Sequence, residues 1–207
     1  MNNPHPIYVF RHGQTEWNVA DRMQGALDSP LTARGRAQAR ALGEGLRQAL
    51  AVAGIAPAEV AIVASPLGRV RQTLDIASAA AGLDTARCRF DARLREVTWG
   101  EWDGLTWAEI EQHTPGAFAL RTVQKWQHLP PGGESYAMAA ERIAAVLADL
   151  VAQAGQGPVA AFSHGAVGRL LRGVYAGLPS EDITRLDEPQ DAFFRLQAGA
   201  VTRIAVA

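Results

Sequence analysis

Ile7-Tyr8-Val9-Phe10-Arg11-His12-Gly13 is an apolar run that breaks at once into a cation, an imidazole and a glycine. Apolar residues without alternation suit a strand buried on both faces, and the polar end would deliver side chains to the edge of a sheet. The same pattern recurs twice. Residues 60–64 read as a second strand running into Ser65-Pro66-Leu67-Gly68-Arg69, and residues 158–162 as a third running into Ser163-His164-Gly165.

Helical periodicity fills the intervals. Leu31-Thr32 opens a stretch with Leu42, Leu46 and Leu50 on one face, stopped by Gly54. Residues 67–81 read as a helix ended by Gly82, residues 135–154 as a long helix, and residues 167–175 as another. Residues 87–90 suggest a short strand, and 192–196 and 201–206 two closing strands. Strands alternating with helices predict an α/β fold, a three-layer α/β/α sandwich around a mostly parallel sheet. Residues 91–133, rich in Trp, Pro and Gly, break this rhythm and read as an irregular excursion over the sheet. Its cap-like part, about 97–133, belongs to one domain spanning 1–207.

In open α/β sheets ligands bind outside the carboxyl ends of the strands. The three reactive segments, distant in sequence, should therefore meet in space. One His-Gly pair is weak evidence of a site; two at strand ends, with two arginines, are stronger. A phosphomonoester dianion needs positive or N–H groups around its oxygens, and Arg11 and Arg69 are each suited to bind one bidentately. Gly13 and Gly165 allow backbone N–H groups close to an anion. A neutral imidazole is a competent nucleophile toward phosphorus. With guanidinium groups holding the charge and no Asp-rich motif, no metal and no other cofactor are expected.

Composition narrows the partners. The chain has 207 residues, 48% of them hydrophobic, and a formal net charge of −1. Nothing here suggests nucleic acid or an anionic membrane, so a small phosphorylated metabolite is the expected partner. Cys88, the single cysteine, forms no internal disulfide. The start lacks a signal-like pattern and no apolar run approaches a bilayer span. A cytoplasmic location is expected, although a cysteine-poor exported protein would read alike. Apolar helix faces leave a homodimer open.

The ordered set of motifs resembles the histidine phosphatase superfamily, in its phosphoglycerate-mutase-like branch. Arg11-His12-Gly13-Gln14-Thr15-Glu16-Trp17-Asn18 resembles its signature. Arg22-Met23-Gln24-Gly25 with Asp28-Ser29-Pro30-Leu31-Thr32, then Ser65 to Thr73, Leu94-Arg95-Glu96 and Pro131-Gly132-Gly133-Glu134-Ser135 follow in the expected order, before Ser163-His164-Gly165. The resemblance implies His12 as nucleophile, His164 beside it, and Arg11 and Arg69 clamping the phosphoryl group. Asn18 would add a polar contact, and Gln24-Gly25 would lie near the leaving group. Glu96 is the implied general acid, its pKa raised by burial and lowered by the arginines, with the balance open.

Other conspicuous residues read more plainly. Trp99, Trp102 and Trp107 suit packing, with one of them free to line the pocket; His113 and His128 suit surface or loop positions. Ser65 and Ser163 sit outside any Gly-x-Ser-x-Gly elbow.

Three functions are compatible with the motifs. A phosphatase would discharge phospho-His12 to water; a phosphoglycerate mutase would return the group to another hydroxyl; a non-catalytic module would only bind phosphoesters. A mutase acting on a doubly anionic substrate needs extra cations above the pocket. Residues 97–133 offer only Arg121 and Lys125, against Glu101, Asp103, Glu109 and Glu111. Phosphatase is favoured. Broad-specificity and α-ribazole phosphatase-like chemistry fit comparably, and fructose-2,6-bisphosphatase-like chemistry has no distinguishing feature.

Overall fold

The structure is a computed structural model that describes residues 3–206. Its centre is a six-stranded sheet in the order β3-β2-β4-β1-β5-β6. The strands are β1 (Ile7–Arg11), β2 (Ala61–Ala64), β3 (Arg89–Phe90), β4 (Val159–Ser163), β5 (Ala192–Gln197) and β6 (Ala200–Ala205). The first four run parallel, and β5 and β6 close one edge as an antiparallel hairpin beside β1.

Alternate residues of β1 face opposite layers, which is why its apolar run has no polar face. Ile7 and Val9 pack with α6 (Tyr136–Ala154) and α7 (Gly165–Ala176), while Tyr8 and Phe10 pack with α2 (Ala33–Ala53) and α3 (Gly68–Ala81). Helices therefore cover both faces, as the sequence predicts. Thr32 caps α2 by accepting from Gly35 N–H, and Ser135 caps α6 by accepting from Met138 N–H. Gly54 and Gly82 end α2 and α3 in left-handed conformations. The helix expected at 167–175 begins two residues earlier, directly behind His164.

Three local expectations change. Only Arg89–Phe90 of residues 87–90 is strand, because Asp84 caps a 3-10 turn over Thr85–Arg87. A one-turn helix, α1 (Glu16–Val19), follows the His12 loop. The excursion is also more ordered than its composition suggests, with α4 (Trp107–His113) and α5 (Ala117–Val123) enclosing a small core of Trp102, Ile110 and Ala117. His128 lies in a loop, as one of its two readings expected, but is buried there, stacked on Trp102 at 5.6 Å. A last short helix, α8 (Ser180–Arg185), packs through Ile183. Among the described residues no helix is long and apolar enough to cross a membrane.

Candidate active site

β1 and β4 are neighbours with Arg11 opposite Ser163, so the next residue of each strand, His12 and His164, emerges beside the other. Their rings lie 5.3 Å apart at 66°. His12 Nδ1 is 2.8 Å from Gly13 O. A carbonyl can only accept, so Nδ1 carries the proton and Nε2 keeps its lone pair. Burial, then the charges of Arg69 and Arg11, hold the His12 pKa well below the ordinary imidazole value, against the Gly13 bond. His12 is thus a neutral ring with a free Nε2. His164 is held neutral by burial, Arg69, His12 and Arg11 in turn. Its Nε2 pairs with Ser65 Oγ at 2.8 Å, while buried Nδ1 has no partner among the described residues.

The two arginines are used differently. Arg69, on α3, is fully buried, and its four terminal N–H donors meet Leu27 O, Asp28 Oδ1, Gln24 O and Gly25 O at 2.8–3.1 Å. Only its Nε remains without a partner among the described residues. The expected bidentate grip by Arg69 is therefore not available in this arrangement, since the loop before α2 consumes the fork. Arg11 lines the pocket, donates through NH1 to Glu188 O, and keeps a buried Nε without a partner among the described residues.

Glu96 sits just beyond a 3-10 turn, Ala92–Leu94, capped by Asp91. Its carboxylate faces the first turn of α7 and accepts from Ala166 and Val167 N–H at 3.3 Å and from Val97 N–H at 3.1 Å. The balance left open by the sequence falls on the raised side: burial and the Glu188 charge push the Glu96 pKa up, outweighing Arg69, the Val97 bond and Arg11.

Asn18 lines the pocket and is also the third residue of the α1 capping box, its Oδ1 accepting from Thr15 N–H and from Gln190 Nε2. Gln24 lines the pocket too, donating through Nε2 to Thr15 Oγ1. Gly25 lies behind this wall: its N–H goes to Asp103 Oδ1 at 2.8 Å and its C=O to Arg69. A Cβ there would meet Asp103 Oδ1 at 2.2 Å, so glycine is required for the close approach.

The pocket holds about 160 Å³. Tyr136 and Glu188 also wall it without any sequence signal, Arg22 and Met23 stood in a quoted motif without a role, and Trp99 was one of three candidates. Burial and the Glu188 charge push the Tyr136 hydroxyl to about 12, and this hydroxyl accepts from Arg169. Arg169 also pairs with Glu188 at 2.9 Å. Ser65, set aside as a nucleophile, instead orients His164. Among the described residues no cluster of three or more His, Cys, Asp or Glu side chains could hold a metal.

Residues 7–198 match the model of the histidine phosphatase superfamily (branch 1). The chain is 37% identical over 186 residues to the glucosyl-3-phosphoglycerate phosphatase of Mycolicibacterium vanbaalenii, covering 85% of this chain and 76% of that protein. It is 38% identical over 178 residues to a Citrobacter koseri protein named "Probable phosphoglycerate mutase GpmB", covering 84% and 76%. A mycobacterial glucosyl-3-phosphoglycerate phosphatase solved with VO3 superposes with a TM-score of 0.77 at 31% identity, over 96% of each chain. The α-ribazole phosphatase of Shigella flexneri shares the fold, with a TM-score of 0.80 at 22% identity over 97% and 95% of the chains. With both histidines, both arginines and Glu96 gathered at the carboxyl edge of its sheet, the chain belongs to the histidine phosphatase superfamily.

Proposed function

We propose that the protein is a phosphatase that hydrolyses small phosphomonoesters through a phosphohistidine on His12. The observation that supports this reading is the free Nε2 of a neutral His12, set beside two N–H donors, Arg11 Nε and Arg69 Nε, and a ring nitrogen, His164 Nδ1, none with a partner among the described residues. Buried donors left without partners are costly, and a phosphoryl group supplies acceptors for them.

In the first step Nε2 attacks phosphorus as the bond to the leaving oxygen breaks. Glu96, protonated more readily than an ordinary carboxyl, gives its proton to that oxygen. In the second step Glu96 takes a proton from water, the water oxygen attacks phosphorus, and the P–N bond breaks to free phosphate and His12. Arg11 touches the phosphoryl group directly. Arg69 contributes its charge and one N–H, and holds the 24–28 loop. Asn18 and Gln24 line the path of the leaving group, and Gly25 positions that wall. Neither a metal nor another cofactor takes part.

The excursion's two cations favour hydrolysis over mutase chemistry. Arg121 is buried against Trp99 and Tyr136, and Lys125 donates to Thr184 O. Arg121 is thus engaged between the cap and α6, and Lys125 with α8. Hydrolysis of p-nitrophenyl phosphate in EDTA, abolished by His12→Ala and accompanied by negligible isomerisation of 3-phosphoglycerate, is the expected result. Isomerisation as efficient as hydrolysis, or a strict metal requirement, would overturn it. Glucosyl-3-phosphoglycerate, in the names of two similar proteins, is the first metabolite to assay.

A further inference from the structure

A second cavity, of about 690 Å³, adjoins the phosphoryl pocket. Asn18, Arg22 and Met23 belong to the walls of both, so the two form one depression with a narrow polar end and a wide open end. In-line displacement places the leaving oxygen opposite His12 Nε2, and the shared walls of Asn18, Arg22 and Met23 open a path for the leaving group into the wide end.

The chemistry of the wide end is distinctive. Trp17 and Trp107, both half-buried, lie in its wall. Arg22 stands at the junction, fixed by a fork onto Glu109 at 2.9 and 3.2 Å and a bond to Gly104 O at 2.7 Å. A guanidinium has five N–H donors. These three contacts use one on NH2 and both on NH1, leaving Nε–H and one N–H of NH2 for a ligand. Glu109 offsets the Arg22 charge, and Asp21, held at φ 51°, adds a negative one to the wall. The wide end therefore has no surplus positive charge for a second anion. Indole surface with a few directed donors and acceptors instead suits a neutral polyhydroxyl group, whose C–H faces pack on aromatic rings while its hydroxyls take the polar contacts.

We propose that the wide end is a leaving-group subsite for a neutral sugar or polyol, and that Arg22 is its specificity-determining residue. This rests on the phosphatase reading of the adjoining pocket. It is tested with two probes that share phosphate and carboxylate and differ by one neutral sugar, glucosyl-3-phosphoglycerate and 3-phosphoglycerate.

The unaltered protein should show a kcat/KM at least about tenfold higher for the glucosylated probe, carried by KM. Ala108→Trp, which fills this cavity from an exposed position on α4, should reduce that ratio to about twofold or less. Arg22→Lys, which keeps the charge but loses the fork, should lower the same ratio through KM. An unaltered protein without the preference, or a preference that survives Ala108→Trp, overturns the subsite. Acetyl phosphate, whose leaving group is short, is the separate control: loss of its His12-dependent hydrolysis would instead overturn the phosphatase reading.

Discussion

Asp28 and Arg69 are joined through both backbone and side chain. Asp28 Oδ1 accepts from the Arg69 guanidinium at 2.8 Å and from Arg69 N–H at 3.2 Å, while Oδ2 accepts from Gly68 N–H. One half-exposed carboxylate thus caps α3 and balances a fully buried cation. Asp28→Ala should cost about 2 kcal/mol of stability, read by chemical denaturation, because a charged hydrogen bond is lost and a buried charge left short. It should also weaken vanadate inhibition, since Arg69 loses its fixed orientation. Asp28→Asn, which keeps an acceptor without the charge, should fall between the two. Equal stability of all three proteins would contradict the assignment.

Under the proposed mechanism the pH dependence of hydrolysis follows from two shifts of opposite sign. His12 must be neutral, and its lowered pKa places the acid limb of kcat/KM below the ordinary imidazole value of 6.5. Glu96 must be protonated for the first step, and its raised pKa places the alkaline limb above the ordinary carboxyl value of 4.5. Glu96→Gln should abolish the alkaline limb. It should also slow poor leaving groups by about 10²-fold or more, while p-nitrophenyl phosphate loses less. Equal losses for both would remove Glu96 from the acid role.

Glu188 raises the Glu96 pKa by its charge. Glu188→Gln deletes that repulsion, so the Glu96 pKa should fall and the alkaline limb should move to lower pH. A limb that stays in place, measured over the same buffers, would show that burial alone sets the shift.

Gly43 marks a close approach of α2 to α3, where a Cβ would stand 2.1 Å from Ala77 O. Backbone cannot yield as a flexible side chain can. Gly43→Ala should therefore destabilise by about 1–3 kcal/mol, the usual range for overpacking, despite the better helix propensity of alanine. Thermal unfolding would measure it, and an unchanged Tm would show that the helices separate freely.

The strands and long helices were legible because burial leaves a simple mark on them. β1 and β4 are unbroken apolar runs, and α2 and α6 carry apolar residues at helical spacing. His12 and His164 could be placed together from sequence because both end parallel strands, and topology then fixes their adjacency. The short helices α1, α4 and α5 were not legible, since four to seven residues carry too little periodicity. The Thr106–Glu109 capping box was a usable signal for α4. Glu188 carries no motif. It reaches the site because the chain before β5 returns alongside β1, a fact of topology. Arg69 shows a different limit: its residue type suggested a fork for phosphate, but the backbone carbonyls that occupy the fork lie some 40 residues earlier in the chain.

Asp103 accepts from Gly25, Ala26 and Trp99 N–H and from the Thr98 hydroxyl. Alongside it Met23 and Leu105 exchange a backbone bond at 2.9 Å, and Arg22 is clasped by Glu109. These bonds fasten the cap to the loop that follows His12. In the proposed phosphatase, a cap fastened this way leaves discrimination to the shape and chemistry of the corridor between these walls.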